Sequence, residues 1–228
     1  MSEATAPAKS PSEGLFSKKN RKLITDPLND SNPITVQVLG ICSALAVTVK
    51  LDNSVVMAAS VTAVTIMGNF FMSLMRNIVP NRIRIIVQLV VVAWLVIIVD
   101  QVLKAYVYDV SKSLSVFVGL IITNCIIMGR IEAFALGNKP GPSILDGLGN
   151  GIGYGIILIF LGIVRELFGS GKLWNAQVLP ANWIYSMDNP DGWYVLNNFM
   201  IMPPMALILV GLYIWAQRAR NTKLIEAH

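Results

Sequence analysis

Charge is scarce in this sequence. Only 14% of its 228 residues are Asp, Glu, Lys or Arg, against about 25% in soluble domains, so there are too few polar groups to cover a water-facing surface. Histidine is nearly missing: His228 is the only one. That excludes most self-contained haem, zinc and Rieske-type sites, which need histidine or several cysteines. Cysteine is limited to Cys42 and Cys125, with no C-x-x-C. No Ser/Thr-Gly-Ala-Thr stretch of the flavin-attachment type occurs, so no covalent flavin is expected on this chain. The glycine-rich "GLGNGIGYG" fails the G-x-G-x-x-G spacing and follows no strand, which removes a dinucleotide-binding reading. The first 32 residues are polar and lack the apolar core of a cleavable secretory leader.

Apolar residues are abundant instead, at 54%. They gather in six runs, at roughly 34–49, 54–75, 85–103, 113–129, 144–168 and 199–216, several of them near the roughly 20 residues that cross a bilayer as a helix. Short links such as "KLDN" and "LGNKPGP" join them. The last link is longer and holds the interfacial aromatics Trp183, Tyr185 and Trp193. The net charge of +5 does not indicate nucleic-acid binding, because the basic residues sit between the runs. Most Lys and Arg fall in the N-terminal tail, the second and fourth loops and the C-terminus. The positive-inside rule then places both termini in the cytoplasm. "GLFSKKNRKLI" reads as a solvated basic tail, with the membrane surface as the alternative.

The two halves are weakly alike. At the offset that superposes Cys42 on Cys125, Ser60 falls on Ser143 and Gly68 on Gly151. Three spans per half is odd, so the halves enter the membrane from opposite sides, and functional sites in such inverted repeats form near the midplane. The expected fold is therefore an all-α polytopic membrane protein, with six transmembrane helices as two inverted three-helix repeats. The divisions are a cytoplasmic tail over 1–32, repeats over 33–107 and 108–218, and a second cytoplasmic tail over 219–228.

Each cysteine lies in the first segment of its half, and those two segments are the shortest. Cys42 is about eight residues from one membrane face and Cys125 about twelve from the other, so both reach the middle of the bilayer. Gly40 and Thr123-Asn124 are the expected helix breaks. Two such thiols fit three readings: small apolar packing residues, a disulfide, or ligands of an iron–sulfur centre, which takes four thiolates and would need two more from a partner. Asp100, Glu132 and Asp146 are candidates for an ion path. Asp146 alternatively hydrogen-bonds near a helix start, and structural roles are expected for Arg130, Glu132, Arg165 and Glu166. Gly147, Gly151 and Gly155, four apart, form a face for close helix packing.

The stretches "NPITVQVLGICSALAVT", "VDQVLKAYVYDVSKSLSVFVGLIITNCIIMGRIEAFA", "GNGIGYG" and "VRELFGSGKL" resemble the D-type subunit family of bacterial Na⁺-translocating NADH:quinone oxidoreductases, over about residues 32 to 218. The E-type subunit of the Rnf electron-transfer complex is a more distant likeness. The resemblance implies a six-helix inverted-repeat protein of the cell inner membrane, paired with a homologous E-type subunit of the same complex. Cys42 and Cys125 would supply half the ligands of an intramembrane [2Fe–2S] centre that relays electrons toward quinone, coupled to Na⁺ export. NADH and quinone would react on other subunits, so this chain alone is not catalytic. Ile131 stands where the family pattern suggests Ala, a change expected to alter only packing. The competing readings are an Rnf-type electron-transfer subunit, an inverted-repeat secondary transporter and a structural subunit without a redox role.

Overall fold

The computed structural model describes residues 18–29, 31–80, 82–106, 118–174, 176–177 and 198–220. The expectations for 107–117, the start of the fourth apolar run, and for Trp183, Tyr185 and Trp193 lie outside the described residues. The described part is helical apart from a two-strand hairpin. In chain order the elements are α1 (Lys18–Asn29), α2 (Ile41–Val47), α3 (Leu51–Met75), α4 (Arg84–Tyr106), α5 (Val118–Ile122), α6 (Cys125–Arg130) and α7 (Pro140–Ser170). A π-helical turn, Ile131–Ala135, extends α6. After α7 come the antiparallel pair β1 (Lys172–Leu173) and β2 (Ala176–Gln177), a 3₁₀ turn over Asn198–Ile201, and α8 (Pro203–Arg220).

Among the described residues three helices, α3, α4 and α7, are long and apolar enough to cross a membrane. Their ends follow from local chemistry. Pro140 starts α7, where its missing N–H is no loss. Gly171 closes α7 in the left-handed region at φ 67, and its N–H donates to Leu167 O at 3.1 Å. Helix α3 carries several hydroxyls yet stays compatible with an apolar setting, because most of them bond back to the carbonyl four residues earlier and Ser73 donates to Asn138 O. Thr62 donates to Ala58 O at 2.7 Å and Thr65 to Val61 O at 2.6 Å.

Glycine decides how closely the long helices approach. Helices α3 and α7 pack antiparallel: Leu51 N–H donates to Glu166 Oε2 at 2.6 Å at one end, and Asn69 Nδ2 donates to Ser143 O at 3.1 Å at the other. Between them the expected glycine face is used in full. A Cβ on Gly147 would lie 3.1 Å from Ile66 Cα, one on Gly151 2.6 Å from Thr62, and one on Gly155 3.3 Å from Ala58. Beside this seam, Ala58, Thr62 and Ile66 with Gly151 and Ile156 line a shallow apolar groove of about 480 Å³. Ile131 is fully buried and rests against Gly68, where a Cβ would lie 3.4 Å from its Cδ1, so the residue that departs from the family pattern does act in packing.

Residues 18–29 are helical, which their polar composition does not suggest. They form α1, which docks on a second glycine face of α7: a Cβ on Gly149 or Gly153 would meet the Leu23 or Pro27 carbonyl oxygen at 2.6 Å. The two apolar runs that hold the cysteines form no continuous membrane-length helix in the described residues. The first has a turn ahead of the seven-residue α2, and the second is interrupted between α5 and α6. Helix α2 packs against α8, and α5 against α4. Much of α4 faces outward with large apolar side chains, Ile85, Val90, Trp94 and Ile97 among them.

Arg165 is buried within this arrangement. Its guanidinium donates to Thr48 Oγ1 at 2.6 Å and Leu45 O at 3.1 Å near the end of α2. It also donates to Ile201 O at 2.6 Å and Met200 O at 3.1 Å ahead of α8. One side chain thus satisfies carbonyls that helix ends leave without partners, as its assignment to a structural role requires. Arg165→Met should destabilise the fold by about 3 kcal/mol, since the carbonyls stay buried and unpaired. Arg165→Lys should recover only part of this, because a single ammonium cannot span the fork. Thermal unfolding in detergent measures both, and a variant as stable as the parent would remove Arg165 from this role.

Candidate functional site

Each cysteine stands at the start of a short helix. The chain enters α2 through two left-handed residues, Val38 at φ 57 and Gly40 at φ 77. Gly40 is the N-cap of α2. A side chain is excluded there twice, by backbone angle and by space: a Cβ would lie 2.7 Å from Ile126 Cδ1 and 3.2 Å from Tyr154 Cε2. Val38 is β-branched and strained at positive φ. The turn that holds it is fixed by Asn32, whose Oδ1 accepts from Ile34 N at 3.0 Å and Thr35 N at 3.3 Å while its Nδ2 donates to Gly153 O on α7 at 3.1 Å. In the other half, Thr123 and Asn124 separate α5 from α6. Asn124 caps α6, its Oδ1 accepting from Ile126 N at 3.1 Å. Both breaks fall where the sequence suggests them.

The two breaks meet each other. Asn124 Nδ2 donates to Ser43 Oγ at 3.3 Å, and Ser43 Oγ donates to Gly40 O at 2.8 Å. Tyr154 OH lies 2.7 Å from the same Oγ. Because the single Ser43 hydroxyl proton goes to Gly40, Tyr154 is the donor in that contact. Ser43, Asn124 and Tyr154 are all buried. A Cβ on Gly129 would lie 3.2 Å from Leu39 Cδ1, so α6 also receives the side chain that leads into α2. The inner neighbours of the cysteines are locked together, while Cys42 and Cys125 themselves are exposed and free. Among the described residues no group of three or more His, Cys, Asp or Glu could hold a metal ion.

Sequence reasoning names Cys42, Cys125, Gly40 and Asn124 but misses Ser43, Tyr154 and Asn32. The available hint is Tyr154, a single large polar ring in an otherwise glycine-rich run. The three carboxylates considered for an ion path each have a different basic partner. Asp146 is buried and accepts from Arg130 through both carboxylate oxygens, Nε to Oδ2 at 3.0 Å and Nη2 to Oδ1. Asn150 Nδ2 donates to Asp146 O at 2.9 Å and to its Oδ1 at 3.1 Å, within the early turns of α7. A cavity of about 130 Å³ adjoins this pair and is also lined by Asp26 and Ser31. Glu132 is held by Arg84 and by Gln88 Nε2 at 2.8 Å near the start of α4. Asp100 pairs with Lys104 at 2.6 Å, about 18 Å along the helix from Gln88 at 1.5 Å per residue.

A family model described as Rnf-Nqr subunit, membrane protein, matches residues 20–214. It begins before the expected residue 32 and takes in most of α1. The D-type subunit of the Na(+)-translocating NADH-quinone reductase of Aeromonas hydrophila is 53% identical over 207 residues, covering 91% of this chain and 96% of that protein. The protein of the same name from Yersinia pestis is 53% identical over 210 residues, 92% of this chain and 98% of its own.

The contact between Ser43 and Asn124 predicts that the two thiols are close. Once any bound metal is chelated, a bifunctional thiol reagent spanning about 10 Å should join Cys42 and Cys125 within one chain, given about 3.8 Å per intervening Cα step. Asn124→Ala should lower the yield by loosening the start of α6. Intact-mass analysis reads both, and failure to cross-link the folded, metal-free chain would contradict the geometry.

Proposed function

The chain belongs to the Rnf-Nqr family of membrane subunits, and on that premise we propose that it is the D-type membrane subunit of a Na⁺-translocating NADH:quinone oxidoreductase. Within that complex Cys42 and Cys125 supply half the ligands of an intramembrane [2Fe–2S] centre, and a homologous E-type subunit supplies the other half. The observation that carries this is the pair of exposed, unpaired thiols on two helix starts locked together by Ser43, Asn124 and Tyr154. The donor set fits the group: thiolates are its usual ligands, four are needed, and this chain offers two at its surface rather than four in its interior. Bound there, the centre supplies one-electron transfer. The chain's own residues hold and orient it. The first-turn N–H groups of α2 and α6 lack helical acceptors and favour negative charge beside the thiolates, and Asn124 fixes the direction of α6.

The same reading places the chain in the inner membrane as six spans in two inverted halves with both termini cytoplasmic. Three features support that plan. The two breaks occupy corresponding places in the halves. The middle helices of the halves, α3 and α7, run antiparallel. Each broken segment packs on the last helix of the other half, α2 on α8 and α5 on α4. NADH and quinone react on other subunits.

Replacing either thiol in the whole complex tests the proposal. Cys42→Ala and Cys125→Ala should each abolish the cluster's EPR signal, lower iron content and cut NADH-driven quinone reduction by roughly a hundredfold or more, with the complex still assembled. Asn124→Ala, which only loosens the support, should fall within the tenfold to hundredfold range of supporting-residue changes. Assembled Cys→Ala complexes that keep both signal and turnover would refute the role.

A further inference from the structure

A cavity of about 440 Å³ opens between the turn that follows α1 and the last two turns of α8. Its lining includes Leu28, Asn32, Thr35, Tyr213, Gln217 and Arg220, with no acid among the described residues that line it. Two features mark it as more than a surface crevice. Thr35 is buried at 2% exposure, and its Oγ1 has no hydrogen-bond partner among the described residues. Such a hydroxyl normally finds one, from protein or from something bound. Arg220 lies at the mouth, exposed, and pairs with no acid among the described residues. Asn32 is already engaged, its amide oxygen in the turn and its amide nitrogen on Gly153 O of α7.

The position along α8 sets the chemistry of the occupant. Leu212 and Trp215 are exposed on the outer face just before the cavity, and Arg218 and Arg220 follow. An apolar outer stripe that ends in tryptophan and then arginine marks the depth where hydrocarbon gives way to headgroups. The volume is in the range of small-ligand pockets, larger than a bare ion needs.

We propose that this cavity binds a phosphate group, with Arg220 as the charged partner and the Thr35 hydroxyl as a buried donor. A planar guanidinium suits the paired oxygens of a phosphate. The group's two possible sources are an anionic glycerophospholipid, whose acyl chains would follow the stripe past Leu212 and Trp215, and free phosphate. The site is separate from the cysteines and does not rest on their role.

The test uses the whole purified complex and a phosphatidylglycerol that carries a photoactivatable headgroup. Labelling should map to peptides containing Thr35 and Tyr213. Arg220→Gln should lower it about tenfold, the effect of losing one charge-assisted contact. Thr35→Val should lower it about threefold, and Thr35→Ser should retain it. Because the Thr35 hydroxyl has no protein partner among the described residues, Thr35→Val should unfold no earlier than the parent in lipid-depleted detergent. Competition by unlabelled phosphatidylglycerol but not by inorganic phosphate assigns the site to lipid, and competition by inorganic phosphate assigns it to the free anion. Equal competition by dioleoylglycerol, which has no phosphate, or unchanged labelling in Arg220→Gln would overturn the proposal.

Discussion

Where a helix is interrupted inside a membrane protein, lipid offers nothing to the backbone groups it frees, so the protein must supply their partners. Ser43 and Asn124 each supply such a partner at one interruption, to Gly40 O and Ile126 N, and bond to each other and to Tyr154. The Asn124 side chain caps α6 with its oxygen and reaches Ser43 with its nitrogen. The Ser43 hydroxyl returns its proton to Gly40. Tyr154, projecting from the long α7, anchors the pair to the most continuous element of the fold. The thiols next to Ser43 and Asn124 are left exposed.

The surrounding fold keeps that junction in register. Two glycine faces of α7 set its distance from α3 on one side and from α1 on the other. Arg165 secures the far end of α2 to the approach of α8. Asn32 ties the strained turn before α2 to Gly153. The Arg165 and Asn32 links are each a polar side chain bonded to a main-chain oxygen of a distant element, a contact that stays strong where water is excluded. Outward-facing apolar residues on α4 and α8 leave the rest of the surface to lipid or neighbouring chains.

Much of this is legible because it is written locally. Pro140 starts a helix and Asn124 caps one wherever they occur. Glycines four apart make a close-packing face in any helix long enough to hold them. The two cysteines stand out because the chain has only two and places both in short apolar runs. The roles of Ser43, Tyr154 and Asn32 are not legible. Each bonds a partner many positions away in sequence, and a serine or tyrosine within an apolar run gives no local sign of what it will meet. The N-terminal segment misleads for a related reason: "KKNRKLITDPLN" is polar by composition, yet its backbone fits the second glycine face of α7.

The sequence by itself determined the solvent, the long helices, the two breaks and the identity of the thiols. These follow from hydropathy, from proline and glycine geometry and from capping chemistry, all of which act over a few residues. Only the tertiary structure decided that the two breaks touch, that both cysteines are left exposed next to that contact, and that each of the three candidate carboxylates has its own basic partner. Those facts depend on which distant segments pack together. Packing is fixed by the fit of whole surfaces, Gly40 against Ile126 and Leu39 against Gly129 among them, and no short stretch of chain contains that information.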